Sequence, residues 1–415
     1  MKNIIAIRLL LLANFISGIA QGISMISIPA YFAQSGQSNW FNIAYAMITI
    51  GSLFWSLYAG TLIDKYNRKY IFLALNIVNG IAIGTIAYLE YHGMVHTPIL
   101  AASVFALTFW NYNLHYPCFY AFMQEISERE HYNKIASYIE IQSQMATALA
   151  GTTAALLIGG GISTEWFSIT IEPWSLYQIF ALDATTYFIA LAIIYSIQYV
   201  PMTERTEEQG SVWTRLRTGY QYLRNRPYIF IFGAVTHAVF IVTLLHVFNL
   251  SPLYVAQVLE QPSQVFAMSE LFYAMGAITA GIAIHKIFGR MTFAKAIIIM
   301  MFISGLEMLG LITIQAVWVF YGISLLLGLT NAGIRVIRVS YLFQVLPNQV
   351  IGRANSIFFL TNILSRIFFL SLFSLSFFHE SGQVIYAFLI LSGFIFLSMG
   401  ILVFFYQKIV AAREA

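Results

Sequence analysis

Twelve long apolar segments constrain this chain more than any other feature of its sequence. A membrane-spanning helix needs about 20 mainly apolar residues, and each segment reaches that length. Charged residues make up only 9% of the 415 residues, whereas an ordinary globular protein carries roughly 25%. A soluble fold of this size could not cover its surface with so few polar groups, and an aromatic content of 16% is the reverse of a disordered composition. The solvent of this fold is therefore predicted to be lipid.

The predicted fold is an all-α membrane protein with twelve transmembrane helices in two six-helix pseudo-repeats. Its first segment begins like a secretory signal, but the apolar run continues past Gln21, so we expect an uncleaved first helix. Gln315 separates the ninth segment from the tenth. The predicted spans are 8–33, 40–63, 70–90, 98–122, 135–161, 176–199, 228–252, 264–285, 294–315, 317–343, 354–377 and 384–407.

The basic residues test the number of spans, because loops on the cytoplasmic side of a membrane are rich in Lys and Arg. When the connections are assigned alternately to two sides, 18 of the 21 basic residues fall on the side of the termini. The opposite side has none, and Arg335, Arg338 and Arg366 lie within predicted helices. A miscounted span would destroy this division. We therefore predict an integral protein of the cell inner or plasma membrane with both termini in the cytoplasm.

Two short segments recur at similar offsets, which indicates an internal repeat. Residues 59–69 follow the second span and align with residues 280–290 after the eighth, at an offset of 221. Residues 133–137 precede the fifth span and align with residues 352–356 before the eleventh, at an offset of 219. An even number of spans in each half gives the two repeats the same orientation in the membrane.

The segment 201–227 is the only long hydrophilic stretch. It is predicted to be a cytoplasmic linker between an N-terminal six-helix bundle at 1–200 and a C-terminal bundle at 228–415. Its second part has apolar and basic residues on opposite faces at helical spacing, which predicts an amphipathic helix on the membrane surface. A solvated basic linker that only satisfies the topology is the alternative. The apolar residues are Trp213, Leu216, Tyr220 and Leu223, and the basic residues are Arg215, Arg217, Arg224 and Arg226.

The loop after the second span runs from Gly60 to Lys69 with the sequence Gly-Thr-Leu-Ile-Asp-Lys-Tyr-Asn-Arg-Lys. It resembles the signature between the second and third helices of the major facilitator superfamily, which the chain resembles over essentially its whole length. Where the family usually has Gly the chain has Asn67, and we expect the turn to survive because Asn tolerates positive φ. Residues 219–227 and 347–356 resemble the branch that contains macrolide efflux pumps and the enterobactin exporter. The family's antiporter signature in the fifth helix is only partly matched, since its Pro is absent.

The loop after the second span is predicted to act as a gate. Asp64 would accept bonds from a neighbouring helix terminus, and Arg68 and Lys69 would pair with cytoplasmic carboxylates. Contacts made in only one conformation bias the equilibrium between the inward-facing and outward-facing states. The alternative is that these charges only fix the topology. The carboxylates considered are Glu125, Glu128 and Glu130, and the predicted gating residues are Gly60, Asp64, Lys65, Arg68, Lys69 and Arg353.

Polar side chains inside predicted spans are costly and mark candidate binding residues. The family resemblance implies that the first, fourth, seventh and tenth helices line a central cavity. On the tenth, Arg335 lies about 15 Å from the helix end, too deep to snorkel comfortably, whereas Arg338 is one turn closer. For each Asn or His, a hydrogen bond between helices is the alternative role. The predicted substrate-binding residues are Asn14, Gln21, Trp110, Asn111, His115, His237, His246, Asn331, Arg335 and Arg338.

Proton coupling needs a carboxylate or a histidine whose protonation changes between wet and dry states. Arg366 in the eleventh helix is a candidate ion-pair partner of Glu307. The sequence contains no phosphate-binding loop, no spacing typical of metal ligands and no nucleophile constellation, so no cofactor, metal or catalytic residue is predicted. The candidate proton-coupling residues at membrane depth are Glu140, Asp183, Glu270 and Glu307.

Arginines, histidines and flat aromatic side chains on the predicted cavity helices suit an amphipathic anion. The family resemblance implies a secondary active transporter that works by alternating access, and the resemblance to exporters favours efflux. We therefore predict export of a small amphipathic, anionic molecule, siderophore or drug-like. The transporter's predicted partners are this substrate, the lipid bilayer and protons in antiport, and no nucleic acid. Two alternatives stay open. One is an importer of an anionic nutrient or lipid, and the other is a membrane receptor or scaffold that transports nothing.

Overall fold

The computed structural model describes residues 3–128, 132–163, 168–200, 212–288, 291–346, 348–380 and 382–414. In the first half of the chain the helices are α1 (Ile4–Gln34), α2 (Ser38–Lys65), α3 (Arg68–Tyr91), α4 (Thr97–Ile126), α5 (Tyr132–Gly159) and α6 (Leu176–Ser196). A short antiparallel pair, β1 (Gly161–Ser163) and β2 (Ser168–Thr170), lies between α5 and α6. The later helices are α7 (Val212–Arg224), α8 (Pro227–Val235), α9 (Ala238–Leu245), α10 (Ser251–Gln257), α11 (Ser263–Phe288), α12 (Phe293–Thr313), α13 (Val317–Val345), α14 (Asn348–Phe373), α15 (Ile385–Phe404) and α16 (Tyr406–Glu414).

Each of the twelve predicted spans coincides with one helix, or in the seventh span with the broken helix α8–α10. The all-α fold is thus confirmed, as is the boundary at Gln315, since α12 ends at Thr313 and α13 begins at Val317. Within the described residues, nine of these elements are apolar enough to cross a membrane by length and composition alone. Helix α4 is not among them because its run of polar and aromatic residues from Trp110 to Tyr116 lowers its mean hydropathy.

Contacts between Cα atoms divide the chain into two compact units. Unit 1 comprises Met1–Gly36 and Ile50–Gln209. Unit 2 comprises Gln37–Thr49 and Gly210–Ala415. The first part of α2 therefore belongs to unit 2, and its remainder belongs to unit 1.

Unit 1 is held together by aromatic packing and by close approaches at glycines. The rings of Phe72, Phe119 and Phe122 are buried in one cluster contributed by α3 and α4. At Gly22 an added Cβ would lie 2.6 Å from the Cβ of Ala150, so α1 and α5 approach closely there. Small residues at such crossings are what membrane helices use to bring backbones together, because lipid tails provide no hydrophobic drive between helices.

Unit 2 contains the closest crossing of described helices at a glycine pair. A Cβ at Gly276 would overlap the carbonyl oxygen of Leu325, and one at Gly328 would overlap the carbonyl oxygen of Tyr273. The backbones of α11 and α13 are therefore in direct contact on both sides of the crossing. Neither position has room for any side chain.

The amphipathic helix predicted in the linker is present as α7. It packs against α14, because a Cβ at Gly219 would lie 2.6 Å from the carbonyl oxygen of Arg353. Leu223 is buried, as the predicted apolar face requires, whereas Tyr220 of the same predicted face is exposed. Residues 201–211 and the side chains of Trp213, Arg215 and Leu216 lie outside the described residues.

The turn between α2 and α3 differs from the expectation based on positive φ. Asn67 has φ −64° and ψ 125°, an extended conformation. Its Oδ1 accepts a hydrogen bond of 2.9 Å from the backbone N–H of Lys69, so Asn67 is the N-cap of α3. An Asn at this position satisfies one of the free N–H groups at the helix start, which Gly could not do with a side chain.

The crossing of α11 and α13 generates a stability prediction. Gly328→Ala is expected to lower the free energy of unfolding of the protein by about 2 kcal/mol, since the added methyl group forces two backbones apart. Gly322→Ala on the same helix is the matched control, because nothing lies within 4 Å of a Cβ there. Denaturant unfolding in detergent micelles measures both variants. Equal stability of the two would show that the helices do not touch at Gly328.

Candidate functional site

The loop between α2 and α3 forms an ion pair inside unit 1. Arg68 Nη1 donates to Glu125 Oε2 at 2.9 Å and to the carbonyl oxygen of Ala121 at 2.9 Å. Tyr199 donates to the other carboxylate oxygen of Glu125 at 3.2 Å. Glu125 is buried, so charge and hydrogen bonds both hold α3 against the end of α4. Of the three predicted carboxylates, Arg68 binds Glu125, and Glu130 lies outside the described residues.

The other basic side chains of this loop behave differently. Lys69 Nζ donates to the carbonyl oxygens of Tyr195 at 2.9 Å and Ile197 at 2.6 Å, at the C-terminal end of α6. A cation is favourable there because the helix dipole is negative at its C-terminus. Lys65 is exposed, and its Nζ lies 5.5 Å from the ring centroid of Tyr66. Gly60 and the side chain of Asp64 lie outside the described residues. Arg353 is half-buried near the start of α14. The gate therefore stays a prediction.

A polar chain in unit 1 joins three of the predicted spans. Asn14 of α1 donates through Nδ2 to Gln142 Oε1 of α5 at 2.8 Å. His115 of α4 donates through Nε2 to Asn14 Oδ1 at 2.6 Å, and its ring meets Phe72 edge-on with the centroids 5.1 Å apart. The structure thus brings two predicted residues, Asn14 and His115, into one cluster with a residue that the sequence analysis did not select.

The remaining predicted residues of unit 1 point elsewhere. Gln21 donates to Ser17 of its own helix at 2.5 Å. Asn111 donates to the hydroxyl of Tyr187 at 3.4 Å and accepts from Asn79 at 3.5 Å, which directs it towards α3 and α6. The contacts of Asn111 correspond to the alternative role of a hydrogen bond between helices, whereas the contact of Gln21 lies within one helix.

Trp110 and Asn111 line a cavity of about 610 Å³ between α2, α3 and α4 of unit 1. The cavity is almost entirely apolar. Trp55 donates through Nε1 to the carbonyl oxygen of Trp110 at 2.8 Å, so the indole of Trp55 is fixed to the backbone of α4. The further lining includes Tyr66, Tyr70 and Val78.

The tenth predicted span places one arginine in the interior of unit 2. Arg338 is 7% exposed, and its Nη1 donates to the carbonyl oxygen of Thr236 at 3.0 Å. Thr236 and His237 form the break between α8 and α9, and His237 donates through Nδ1 to the carbonyl oxygen of Gly233 at 2.6 Å. No described carboxylate lies within ion-pair distance of Arg338. The group is a buried guanidinium held by one backbone carbonyl.

Three further predicted residues of unit 2 lie outside this cluster or at its edge. Arg335 is exposed and close enough to Arg338 for the two positive charges to repel. Asn331 donates to the hydroxyl of Tyr273 at 2.8 Å and so joins α13 to α11. His246 lies in the π-helical turn after α9, buried near the rings of Phe320 and Phe388.

Three of the candidate proton-coupling acids, Asp183, Glu270 and Glu307, are buried and form no ion pair with a described residue. Asp183 accepts from Ser24 at 2.9 Å, and Glu307 accepts from Thr330 at 3.5 Å. One oxygen of each carboxyl group has no partner. Glu270 is 7% exposed, and the side chain of Glu140 lies outside the described residues.

The predicted pair between Arg366 and Glu307 is wrong. No ion pair joins them, and Arg366 of α14 lies beside Tyr45 in the first part of α2. The depth of a residue along its helix was predicted from sequence spacing, but the direction in which it points depends on which helices are neighbours. That information is absent from spacing along a single helix.

A polar cluster at one end of unit 2 was not predicted. Asn42 donates through Nδ2 to the carbonyl oxygen of Phe373 at 3.2 Å and accepts from Asn249 at 2.5 Å. His379 donates to the same carbonyl at 2.9 Å, and Gln257 donates to the carbonyl oxygen of His379 at 3.1 Å. Burial lowers the pKa of His379, and its bond to Phe373 acts in the opposite direction. The only sequence signal for this cluster is the position of amide side chains, such as those of Asn42 and Asn249, near the ends of predicted spans.

Comparisons with known proteins agree with this architecture. A family model described as Major Facilitator Superfamily matches residues 10–370. The chain is similar to the structure of the POT family transporter PepTSo, with a TM-score of 0.72 and 12% identity over 97% of this chain and 98% of that one. It is also similar to nucleoside transporter NupG, at 0.67 and 12% over 97% and 99%, and to a D-xylose-proton symporter, at 0.67 and 13% over 96% and 97%. No curated protein matches the chain by sequence. At such identities the structural likeness establishes the fold.

The Arg68–Glu125 pair generates the next prediction. Arg68→Gln and Glu125→Gln are each expected to lower the free energy of unfolding by about 2 kcal/mol, because each leaves a desolvated charge without its partner. The double variant is expected to lose less than the two single losses together, with a coupling of about 1 kcal/mol. Unfolding in detergent measures the cycle, and Glu172→Gln, an exposed acid of unit 1, is the control. Additive losses would mean that the pair contributes nothing as a pair.

Proposed function

The chain belongs to the Major Facilitator Superfamily, and from this premise we propose that it is a secondary transporter that exports a small amphipathic organic anion. The family and the similar structures are those of transporters, which makes the chain a transporter and an integral membrane protein. The finer proposal concerns the charge of the substrate, the direction of transport and the coupling ion.

One observation carries the proposal of an anionic substrate. The guanidinium of Arg338 is buried and has no carboxylate partner among the described residues. A buried charge is costly unless it is paired, and a guanidinium matches the two oxygens of a carboxylate with two parallel hydrogen bonds. Its single bond to Thr236 leaves donors of the guanidinium for an anion. Arg335 on the same helix adds positive charge nearby.

The surroundings of Arg338 supply the apolar part of the proposed site. The His237 ring lies next to Phe358, with the ring centroids 6.1 Å apart. Binding sites for small molecules are mostly apolar and fix the ligand with a few polar groups. An anion with a flat apolar body would therefore contact the guanidinium of Arg338, the helix break at Thr236 and the rings of His237 and Phe358. The break at Thr236 resembles the interrupted helices around which transporters build their sites.

Direction and location rest on sequence patterns. Export is proposed because residues 219–227 and 347–356 resemble the branch with macrolide pumps and the enterobactin exporter, and a siderophore-like or drug-like anion fits that branch. The division of 18 basic residues to one side supports an inner or plasma membrane with cytoplasmic termini. Import of an anionic nutrient or lipid is the competing direction, and a receptor without transport is the competing class.

Arg338 provides the main test of the substrate proposal. In sealed proteoliposomes, Arg338→Gln is expected to raise the KM for an anionic substrate by about tenfold or more, because a charge-assisted hydrogen bond is lost. Arg338→Lys is expected to recover only part of the affinity, since an ammonium cannot form the bidentate contact. Arg217→Gln, an exposed arginine of α7, is the control.

The substrate for this assay comes from a panel of amphipathic anions, cations and neutral compounds, screened by thermal stabilisation of the purified protein. Flux of a cation that survives Arg338→Gln would overturn the anion proposal. Absence of flux for every compound, in vesicles of verified orientation, would favour the receptor or scaffold. Flux of substrate only towards the cytoplasmic face of the protein would favour the importer.

Proton antiport is tested with the buried acids. Asp183→Asn and Glu307→Gln are each isosteric and remove a group that could carry a proton, while the Ser24 and Thr330 hydroxyls keep a partner. We expect at least one of them to abolish flux driven by a pH gradient and to retain exchange of substrate at equal pH. Comparing gradient-driven flux with exchange in the same vesicles measures this. If both variants keep gradient-driven flux, neither acid carries the proton.

A further inference from the structure

The apolar cavity between α2, α3 and α4 is not used by the proposed transport site. It opens on the surface of unit 1, where Tyr70, Ala74 and Val78 of α3 are exposed. The cavity follows α3 from Tyr70 to Asn79, a rise of about 14 Å at 1.5 Å per residue. That length is close to half of a hydrocarbon core about 30 Å thick. We refer to this cavity as the α2–α4 groove.

The internal repeat shows that the groove is a built feature of unit 1. The offset of 221 that aligns the two halves places Trp55 at the position of Gly276. In unit 2, Gly276 lets the backbones of α11 and α13 touch. In unit 1, the indole of Trp55 occupies the corresponding place and bridges from α2 to the carbonyl oxygen of Trp110 on α4. A side chain that cannot fit in one half therefore separates the equivalent helices in the other.

The second indole fixes the inner end of the groove. A Cβ at Gly51 would lie 2.7 Å from Cζ2 of Trp110, so the ring lies directly on the backbone of α2. Asn79 and Asn111 behind it are engaged with each other, and Asn111 also binds Tyr187, so they are buried and offer the groove little polar surface. The walls are thus rigid and apolar. In a bilayer such a concavity is filled by hydrocarbon, since an empty one loses dispersion contacts along its whole lining.

A cation lies at the end of the groove nearest the turn between α2 and α3. Tyr66 lines the groove, and the ammonium of Lys65 lies 5.5 Å from its ring centroid. Lys65 is exposed and forms no ion pair with a described residue, whereas Arg68 is bound to Glu125 and Lys69 to two carbonyls. A lysine at a membrane surface attracts anionic headgroups by about 1 kcal/mol. Tyr66 and Tyr70 are typical of residues at the level of the headgroups.

We propose that the α2–α4 groove is a binding site for an anionic phospholipid, with one acyl chain between Trp55, Trp110 and α3 and the phosphate beside Lys65. The apolar length, the two indoles and the ammonium of Lys65, which forms no ion pair with a described residue, together select a long chain joined to a negative head. The lipid is a component of the structure at this site and is distinct from the transported substrate. The proposal does not depend on the direction or chemistry of transport.

Quenching of tryptophan fluorescence by brominated acyl chains tests this site directly. The full-length protein keeps Trp55 and Trp110, and Phe replaces the other tryptophans, which are Trp40, Trp166, Trp174, Trp213 and Trp318. It is reconstituted in phosphatidylcholine vesicles that contain brominated phosphatidylglycerol or, at equal mole fraction, brominated phosphatidylcholine. We expect the anionic lipid to occupy the groove about fivefold more favourably, the ratio given by one lysine at the surface. Equal quenching by the two lipids would overturn the proposal of an anionic ligand.

Two pairs of variants in the same background separate the head from the chain. Lys65→Gln is expected to abolish the preference for the anionic lipid, and Lys295→Gln, an exposed lysine in unit 2, is expected to keep it. Ala74→Phe fills the groove and is expected to reduce quenching by both lipids, whereas Ile77→Phe on the exposed face of α3 outside the lining is not. If Ala74→Phe prevents folding, Val78→Phe obstructs the same groove from an exposed position and leaves Trp55 and Trp110 as the only fluorescent indoles. Undiminished quenching in a folded filling variant would show that no chain enters the groove.

Discussion

A polar group buried in a membrane protein must find its partner inside the protein, because hydrocarbon offers none. This constraint organises both units. Asn14, His115 and Gln142 tie α1, α4 and α5 together, and Asn331 with Tyr273 ties α13 to α11. The same rule makes the exceptions conspicuous. A side chain that stays buried with unsatisfied capacity, as Arg338, Asp183 and Glu307 do, is either a cost of folding or a group whose partner arrives during function.

The number of helices, their order and their type could be predicted because each depends on the length of an apolar run and on residues that interrupt it. Even the short break at Gln315 appears where the sequence puts it. The side-chain partners could not be predicted in the same way. Position along a helix gives depth, but the choice of Tyr45 and not Glu307 beside Arg366 depends on which helices are neighbours. Asn67 was expected to replace Gly through its backbone, and it acts through its side chain as a cap.

The two halves share a sequence repeat but differ at the place where helices cross. Glycines on α11 and α13 allow direct backbone contact in unit 2. A tryptophan at the equivalent position of α2 holds α4 away and is itself held by the Trp110 carbonyl. At the same offset of 221, Trp55 and Leu107 stand where the crossing in unit 2 has Gly276 and Gly328, and both line a cavity of about 610 Å³. Repeats of one fold can therefore keep the same helices and still present different surfaces to lipid, since the crossing distance is set by the residue at the contact and not by the topology.

Arg68 and Arg338 show how one chemical group serves two purposes. Arg68 is half-buried and has a buried carboxylate and a carbonyl as partners, so its contacts stabilise unit 1. Arg338 has a single carbonyl. For folding alone an apolar side chain of similar volume would serve α13 as well or better, because replacing buried charges by apolar groups is often neutral or stabilising. The anion that we propose as substrate would supply the partner that the described residues do not give to Arg338.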